Sequence, residues 1–537
     1  MQLIENASSE KLRGGYYTPA PIVSFLLEWG LNGKADCDIL EPSCGDGVFL
    51  EQIHKQTLPY RSITAIELDP MEAKKAAMIS LQNVDIKIMD FHRFCNTTFA
   101  KYDLVIGNPP YIRYQYFDRM QQEDAKKIYE RAALTYTKLS NAWVSFVVGA
   151  SLLLKEKSKI AFVLPAELLQ VSYAHELRKY LLAYFNKINI ISFQELVFPE
   201  IQQEVILLLC EKNNDISHTI EHIEINNLNG LKELATNRLK ANGKKIDFIN
   251  NKWTYYFLEQ KEIDFLEKIY NHESFSVIGD YANVEVGITT GANGYFTVPY
   301  SIVKEYGLQR YARPMVGRSV QVPGVCFTKE DWLNNRNSKT KSNLLVFPPA
   351  HKLAGDDGAL RYIQYGESLG VNKGYKTGIR DDWFVIPSIK LSDALFIRRN
   401  NIYPRLILNE ANAYTTDTMH RVFIKDGIDK NALIASYYNS VSFAFSEIVG
   451  RSYGGGVLEL MPSEAESIFL PYKKDNHGLM TEIDKMMRNK TDIDVILKTT
   501  NRIILHENFG FSVKEIKLAN TIWKKLSSRR LNRSTKK

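Results

Sequence analysis

Ten residues, Tyr102-Asp-Leu-Val-Ile-Gly-Asn-Pro-Pro-Tyr111, constrain the fold of this chain more than any other stretch. Leu104, Val105 and Ile106 form a short apolar run rich in β-branched side chains, which predicts a buried strand closed by Gly107. Proline donates no ladder hydrogen bond and forces the residue before it into an extended conformation. Asn108-Pro109-Pro110 must therefore leave the sheet as a stiff turn at the strand's carboxyl end. In open α/β sheets that end is where ligands bind. The turn offers an amide side chain, a backbone carbonyl with no competing N–H, and the ring of Tyr111.

That set suits an amine whose lone pair is delocalised, such as the exocyclic amine of adenine. Two fixed acceptors, the Asn108 side-chain oxygen and the Pro109 carbonyl, can bind both amine hydrogens and draw the nitrogen towards tetrahedral geometry. Tyr111 can stack on the base. A Pro-Pro turn that merely ends a core strand explains the same residues, so the surrounding motifs must decide.

A chain of 537 residues exceeds one ordinary core and predicts two or three domains. The net charge of +7 permits a polyanionic partner without establishing one, since part of the excess is terminal: Lys524, Lys525, Arg529, Arg530, Arg533, Lys536 and Lys537. Cys37, Cys44, Cys95, Cys210 and Cys326 show no C-x-x-C spacing and no clustering with histidine. This argues against a metal site or a disulfide framework and fits a reducing compartment. The first residues lack the pattern of a secretory signal, and no apolar run reaches the length of a membrane span. A cytoplasmic protein is expected, with no membrane partner.

Taken in order, Gly14-Gly15-Tyr16-Tyr17-Thr18-Pro19-Ala20-Pro21 is a loop leading into a helix that carries Ile22, Val23, Phe25, Leu26 and Trp29. Asp38-Ile-Leu-Glu41-Pro-Ser43-Cys44-Gly45-Asp-Gly47 is a strand running into a Gly-rich turn, with a helix from Gly47. It is neither a complete G-x-G-x-x-G nor a P-loop, and Glu41 stands where a phosphate would be repelled, so a cationic ligand fits better. Ile63 to Pro70 predicts a second strand ending in the acids Glu67 and Asp69 with a proline stop, and an acid about 20 residues after such a turn is the usual partner of ribose hydroxyls. Val84 to Phe91 alternates as a third strand ending in Asp90. Each acid alone would be a helix cap or a surface charge; three at successive strand ends, with Asn-Pro-Pro-Tyr at the fourth, form a constellation. Residues 141–154 predict a buried helix, 159–165 a fifth strand, 166–184 a helix, and 188–193 with 204–210 a closing β-hairpin, with the aromatic Phe198 in the turn between them. The alternation implies a doubly wound sheet.

From about residue 213 the pattern changes. Residues 213–245 read as a connector with some edge structure. Beyond them lie short strands and Gly-aromatic loops: Val286 to Phe296, Gly374 to Trp383, and Arg451 to Gly456. Basic and aromatic residues interleave, as in Arg398, Arg399, Tyr403, Arg405, His420 and Arg421, a composition suited to phosphates and base edges. The chain is helical by period from about residue 476.

This order of signals resembles the amino-group DNA methyltransferases that use S-adenosylmethionine, in the arrangement called the gamma class, across nearly the whole chain. The resemblance implies an α/β, Rossmann-like methyltransferase domain with a mostly seven-stranded sheet over residues 1–245. A mixed α+β target recognition domain over 246–475 and a helical C-terminal region over 476–537 would follow. Tyr17, Thr18 and Pro19 look like the N-terminal cofactor motif. Glu41 to Gly47, with Ser43, Cys44 and Gly45, looks like the Gly-rich loop, with Glu41 near the methionine ammonium. Glu67 matches the acid on the ribose hydroxyls, Asp90 the one reading the cofactor's adenine amine, and Phe91 sits beside that ring. Asn108, Pro109, Pro110 and Tyr111 match the catalytic loop, with Asn108 also at the cofactor, and Phe198 matches the aromatic that packs, with Tyr111, on the extruded target base. Gly287 to Phe296 and Tyr453 to Leu460 look like recurring segments of the recognition domains. Many relatives carry Ala or Ser at the position of Cys44, and a small thiol is tolerated there. The nuclease domain of fused relatives is not visible before the cofactor motif.

The expected activity is methyl transfer from S-adenosylmethionine to N6 of a flipped adenine in double-stranded DNA, in a restriction-modification or related DNA-marking system. A separately encoded restriction endonuclease for the same site is the partner such a system implies. No metal is needed, and the absence of a Pro-Cys dipeptide counts against cytosine C5 chemistry. Two rivals stand beside this reading: a protein glutamine N5-methyltransferase, which poses the same amide-nitrogen problem, and a catalytically idle DNA-binding protein. The long second domain argues against the first, and intact Glu41, Glu67, Asp90 and Asn108 against the second. The recognition sequence, the base-reading residues, the role of the basic tail and the oligomeric state are not encoded in any spacing.

Overall fold

The computed structural model describes residues 18–32, 34–137, 141–198, 204–213, 218–234, 244, 252–453 and 455–532. Two compact units divide the chain. The first comprises Met1–Ile263 with Tyr453–Gly455 and Asn532–Lys537, the second Asp264–Ser452 with Gly456–Leu531. Tyr17 and the tail cations Arg533, Lys536 and Lys537 lie outside the described residues.

The first unit is built on an eight-stranded sheet: β1 (Asp38–Glu41), β2 (Ser62–Glu67), β3 (Val84–Ile88), β4 (Tyr102–Gly107), β5 (Leu154–Pro165), β6 (Lys187–Phe193), β7 (Val205–Lys212) and β8 (Thr219–Ile225), in the spatial order 3-2-1-4-5-7-6-8. Helices α1 (Ala20–Leu31), α2 (Val48–Gln56), α3 (Pro70–Ala77), α4 (Phe91–Thr97), α5 (Arg119–Arg131), α6 (Ala142–Leu152) and α7 (His175–Tyr184) belong to the same unit. Strand β4 runs parallel between β1 and β5, with Leu104, Val105 and Ile106 fully buried. A strand covered on both faces must be apolar without alternation, which is why its sequence reads as a continuous run. From β1 the chain winds outward through β2 to β3, then returns to place β4 on the other side of β1. That reversal makes β1 and β4 the topological switch point, where the carboxyl ends of adjacent strands open a crevice. Glu41 ends β1 and Asn108 follows β4, so the order of the sheet brings the two sequence motifs together.

Gly47 fixes the entry to α2. Its φ is +94°, a left-handed conformation that side chains disfavour, and a Cβ there would lie 2.7 Å from Ile79 and 3.0 Å from the Ala76 backbone. Gly47→Ala is expected to lower stability by about 2 kcal/mol or more through these combined penalties, as read by chemical denaturation.

Three expectations are corrected here. The sheet has eight strands rather than seven, because Thr219–Ile225, inside the segment read as a connector, pairs in parallel with β6. The β6–β7 hairpin does form, yet β7 inserts antiparallel between β5 and β6 instead of closing the edge. The helix expected over 166–184 is interrupted at Val171, which is extended (φ −75°, ψ 145°) between a turn at Glu167–Gln170 and α7. Arg178 is buried there and donates to the carbonyls of Leu168 and Val171 at 2.8 and 3.1 Å, which satisfies backbone groups that the break releases.

The second unit mixes short sheets with helices. Strands Ala282–Val286, Met419–Ile424, Ala394–Ile397 and Leu406–Leu408 form an antiparallel sheet in that spatial order. An aromatic core of Tyr295, Phe296, Phe347, Tyr362 and Trp383 supports a second group of loops. Helix Val513–Leu531 packs on Ser440–Val449 through Trp523 against Phe443 and through the buried pair Arg530–Glu447. No helix among the described residues is long and apolar enough to cross a membrane.

Candidate functional site

The carboxyl ends of β1, β2, β3 and β4 enclose a cavity of about 570 Å³, lined among others by Thr18, Glu41, Ser43, Cys44, Gly45, Glu67, Asp90, Phe91, Asn108 and Pro110. Its size suits a nucleoside-sized ligand. Most of the residues singled out from the sequence therefore share one wall-to-wall space, although they come from four separate strand ends.

Glu41 is 2% exposed, and its Oε2 is buried with no hydrogen-bond partner among the described residues. Burial, then the neighbouring Glu67 and Asp46 charges, push its carboxyl well above the usual range. An unpartnered buried acid is costly unless a ligand completes it, so this atom is the structural mark of a cationic group. The methionine ammonium of S-adenosylmethionine fits that demand.

Glu67 is held from two directions. The Gly45 N–H donates to Oε2 at 2.9 Å and the Asp69 N–H to Oε1 at 2.8 Å. A carboxylate so fixed retains lone pairs for a pair of hydroxyls, the requirement of a ribose diol. Glu67→Ala is expected to weaken cofactor binding by about one to two decades, the loss of roughly 1.5–3 kcal/mol from charged hydrogen bonds, measurable by titration calorimetry.

Asp90 does cap a helix, as an isolated acid would. Its Oδ1 accepts from the N–H groups of His92 and Arg93, at the start of α4. Burial pushes this carboxyl up, but the hydrogen bonds and charge from His92, with that from Gln121, hold it below its ordinary value. Oδ2 accepts from Gln121 Nε2 at 3.1 Å. Phe91 is buried and stacks on Phe146 with centroids 4.7 Å apart, and both rings line the cavity.

On the catalytic loop, Asn108 donates through Nδ2 to Thr18 Oγ1 at 3.2 Å, and its backbone carbonyl accepts from Ser43 Oγ at 3.3 Å. The Tyr111 hydroxyl donates to Asn108 Oδ1 at 2.9 Å and to the Val163 carbonyl at 3.2 Å. Contacts from three segments thus set which face of the amide presents oxygen. Tyr111 and Phe198 do not line the cavity. Phe198 is buried in the core cluster that includes Val197 and Val205, and Tyr111 packs against the same cluster. Pro19 immediately precedes α1, Pro109 is buried, and Tyr17 lies outside the described residues. Cys44 is buried, with its thiol raised by burial and then by the charges of Glu41 and Glu67.

Sequence reasoning missed Gln121, Phe146, Ile112 and Phe117 in the wall. Gln121 had a legible signal: Asp118 and Gln121 form a reciprocal capping box at the start of α5, and that box aims the amide nitrogen at Asp90. Phe146 had none, since it sits in a helix that is apolar all round. In the second unit, most of the interleaved cations named as suited to DNA contact are structural. Arg398 and Arg399 both pair with Glu459, Arg421 with Glu285, and Arg405 donates to the carbonyls of Val322 and Gly324. His420 is buried against the Leu460 carbonyl, and Tyr403 stacks on Phe443. Arginine caps stray carbonyls as readily as it binds phosphate, and composition does not separate the two uses.

Comparison with known proteins agrees with this geometry. Residues 49–198 match the family described as Eco57I restriction-modification methylase, and residues 250–505 match the C-terminal domain of Type II methyltransferase M.Eco57I. The chain is similar to Type II methyltransferase M.AccI of Acinetobacter calcoaceticus, at 26% identity over 89% of this chain and 87% of that protein. A shorter likeness, 32% identity over 24% of this chain and 54% of the relative, is to a tRNA1(Val) (adenine(37)-N6)-methyltransferase of Haemophilus influenzae. Among solved structures, the DrdV-DNA complex shares the fold with a TM-score of 0.52 and 14% identity, over 90% of this chain and 58% of that one. The cavity at the switch point and these relationships identify the chain as a DNA methyltransferase of the restriction-modification type, with S-adenosylmethionine as its cofactor.

Proposed function

We propose that the chain methylates N6 of an adenine flipped out of double-stranded DNA, at a specific site. The observation that carries this reading is the fixed amide of Asn108, whose Oδ1 faces Tyr111 and whose Nδ2 is committed to Thr18. An amide oxygen has two lone pairs, so accepting from Tyr111 is compatible with accepting from the adenine amine. Asn108 Oδ1 and the Pro109 carbonyl would take the two amine hydrogens and localise the nitrogen lone pair. S-adenosylmethionine supplies an electrophilic methyl group for direct displacement. Glu41, Glu67, Asp90 and Phe91 would hold the cofactor by ammonium, ribose and adenine, with Thr18, Pro19, Ser43, Cys44 and Gly45 around it. Tyr111, its hydroxyl kept on Asn108, and Phe198 would pack on the target base once the cluster around Phe198 makes room. Such catalysis rests on position and electrostatics rather than a covalent intermediate.

The name of the adenine-N6 relative supports the choice of amine over ring carbon. The match of residues 250–505 to a Type II methyltransferase C-terminal domain favours DNA over a protein amide. Residues 246–475 are assigned the reading of the DNA sequence, in a cytoplasmic restriction-modification system with a separately encoded endonuclease. Mapping methylated bases in DNA from cells that express the chain tests this: one recurring adenine site supports it, and unmodified adenines refute it.

A further inference from the structure

In the second unit, residues 371–383 form a loop that is braced from within yet exposes two large apolar side chains. Tyr375 is 87% exposed and Ile379 77% exposed. Between them Thr377 is fully buried, and its Oγ1 donates to the carbonyls of Val371 and Gly374. The Gly378 N–H closes a turn on the Gly374 carbonyl at 2.7 Å, and the Arg380 N–H bonds the Thr377 carbonyl at 3.1 Å. Arg380 then ties the loop to its neighbour, donating through Nη2 to the Thr290 carbonyl at 2.8 Å. Trp383 anchors the far end in the aromatic core, with its indole N–H on Glu367. A loop held this firmly does not expose Tyr375 and Ile379 for want of a fixed conformation. Its apolar tip is preorganised, which lowers the ordering cost of binding.

Charge and shape around the tip indicate what it meets. Lys373 and Lys376 flank Tyr375 and are both exposed, and no acid lies between Asn372 and Arg380. Asp381 and Asp382 follow, the second accepting from the Ala350 N–H. The neighbouring loop carries Gly291, at φ +84° and packed so closely that a Cβ would sit 3.1 Å from the Lys376 Cβ, and Gly294. Gly294 has no left-handed φ, and a Cβ added to it would meet no atom within 4 Å. Neither backbone conformation nor packing within this unit demands glycine there, whereas close approach of a ligand would.

We propose that Tyr375 and Ile379 are a wedge presented to the bases of duplex DNA, with Lys373 and Lys376 on the adjacent phosphates and Gly294 admitting the DNA surface. Apolar side chains on a cationic surface enter base steps or pack on base faces, and the flanking cations release counterions. This inference rests on the reading of the chain as a DNA methyltransferase.

The test uses the full-length protein and a duplex containing the adenine site found by methylation mapping. Tyr375→Ala combined with Ile379→Ala is expected to weaken duplex binding by about tenfold or more, the scale of a lost base–aromatic contact. Its S-adenosylmethionine affinity and thermal midpoint should match the wild type, because both side chains are exposed. Tyr375→Phe should bind like the wild type. Lys376→Ala should reduce the slope of log affinity against log salt by about one, whereas the double variant leaves that slope in place. Wild-type affinity in the double variant would overturn the wedge while leaving the methyltransferase reading intact. A wild-type chain that methylates no DNA and binds no duplex would overturn that reading and the wedge with it.

Discussion

Asn108→Ala is expected to lower the turnover rate by about two to three decades or more, while cofactor and DNA affinities stay near wild type. The substitution removes one acceptor for the adenine amine and leaves Glu41, Glu67 and Asp90 in place. An interaction that strengthens only as the amine develops charge acts on the transition state, so kcat falls and ground-state binding does not. The magnitude follows from the loss of one preorganised polar group at a reacting centre. Tyr111→Phe separates two roles of the neighbouring ring. It keeps the aromatic surface but removes the hydroxyl that fixes Asn108 Oδ1 at 2.9 Å. A lower kcat with unchanged base capture is expected. Tyr111→Ala should in addition weaken capture of the flipped base by about 1–3 kcal/mol, read from a fluorescent base analogue at the target position.

The second large effect belongs to Glu41. Glu41→Gln is expected to weaken S-adenosylmethionine binding by about two decades or more, since it removes one member of a desolvated charge pair. The pH dependence has a definite sign. In the cofactor-free protein the folded carboxyl titrates well above its ordinary value of 4.5, so the folded state keeps a proton that the unfolded state has released. The contribution of Glu41 to cofactor-free stability is then fully present below about pH 4.5 and is lost as pH rises towards the folded pKa. The glutamine variant should lack this slope and be the more stable of the two, without cofactor, at neutral pH. Cofactor affinity runs the other way. The ammonium favours the ionised carboxylate, so binding releases a proton and strengthens as pH rises through the same window. Calorimetry in two buffers of different ionisation enthalpy counts that proton directly, and the glutamine variant should release none from this position.

Local signals made the site legible before the fold was known. Leu104 to Ile106, Gly107 and the two prolines specify a buried strand and its exit without help from the rest of the chain. Glu41, Glu67 and Asp90 were legible because each lies at or just past the end of a strand, and parallel strands of a doubly wound sheet end on the same side. What escaped needed partners distant in sequence. Strand β8 breaks the period-2 alternation, with Ile220 on the face opposite Ile223 and Ile225, and its Asn- and Lys-rich flanks masked it further. The break at Val171 is stabilised by Arg178, seven residues on, whose burial no propensity predicts. Phe146 reaches the cavity only because α6 packs beside α4. The arginines of the second unit show how little composition says about use: Arg405 and Arg421 donate to backbone carbonyls, while Arg398 and Arg399 share the Glu459 carboxylate.

The central claim is that the loop at Asn108 directs a methyl group from S-adenosylmethionine onto an adenine amine in DNA. Incubation of purified protein with unmodified duplex DNA and isotope-labelled S-adenosylmethionine, followed by digestion and nucleoside analysis, tests it most directly. The account predicts label in N6-methyladenine for the wild type and at least a hundredfold slower labelling for Asn108→Ala, an estimate of about two decades or more from the lost acceptor. Label in a methylated cytosine, or equal rates of labelling in the two proteins, would contradict it.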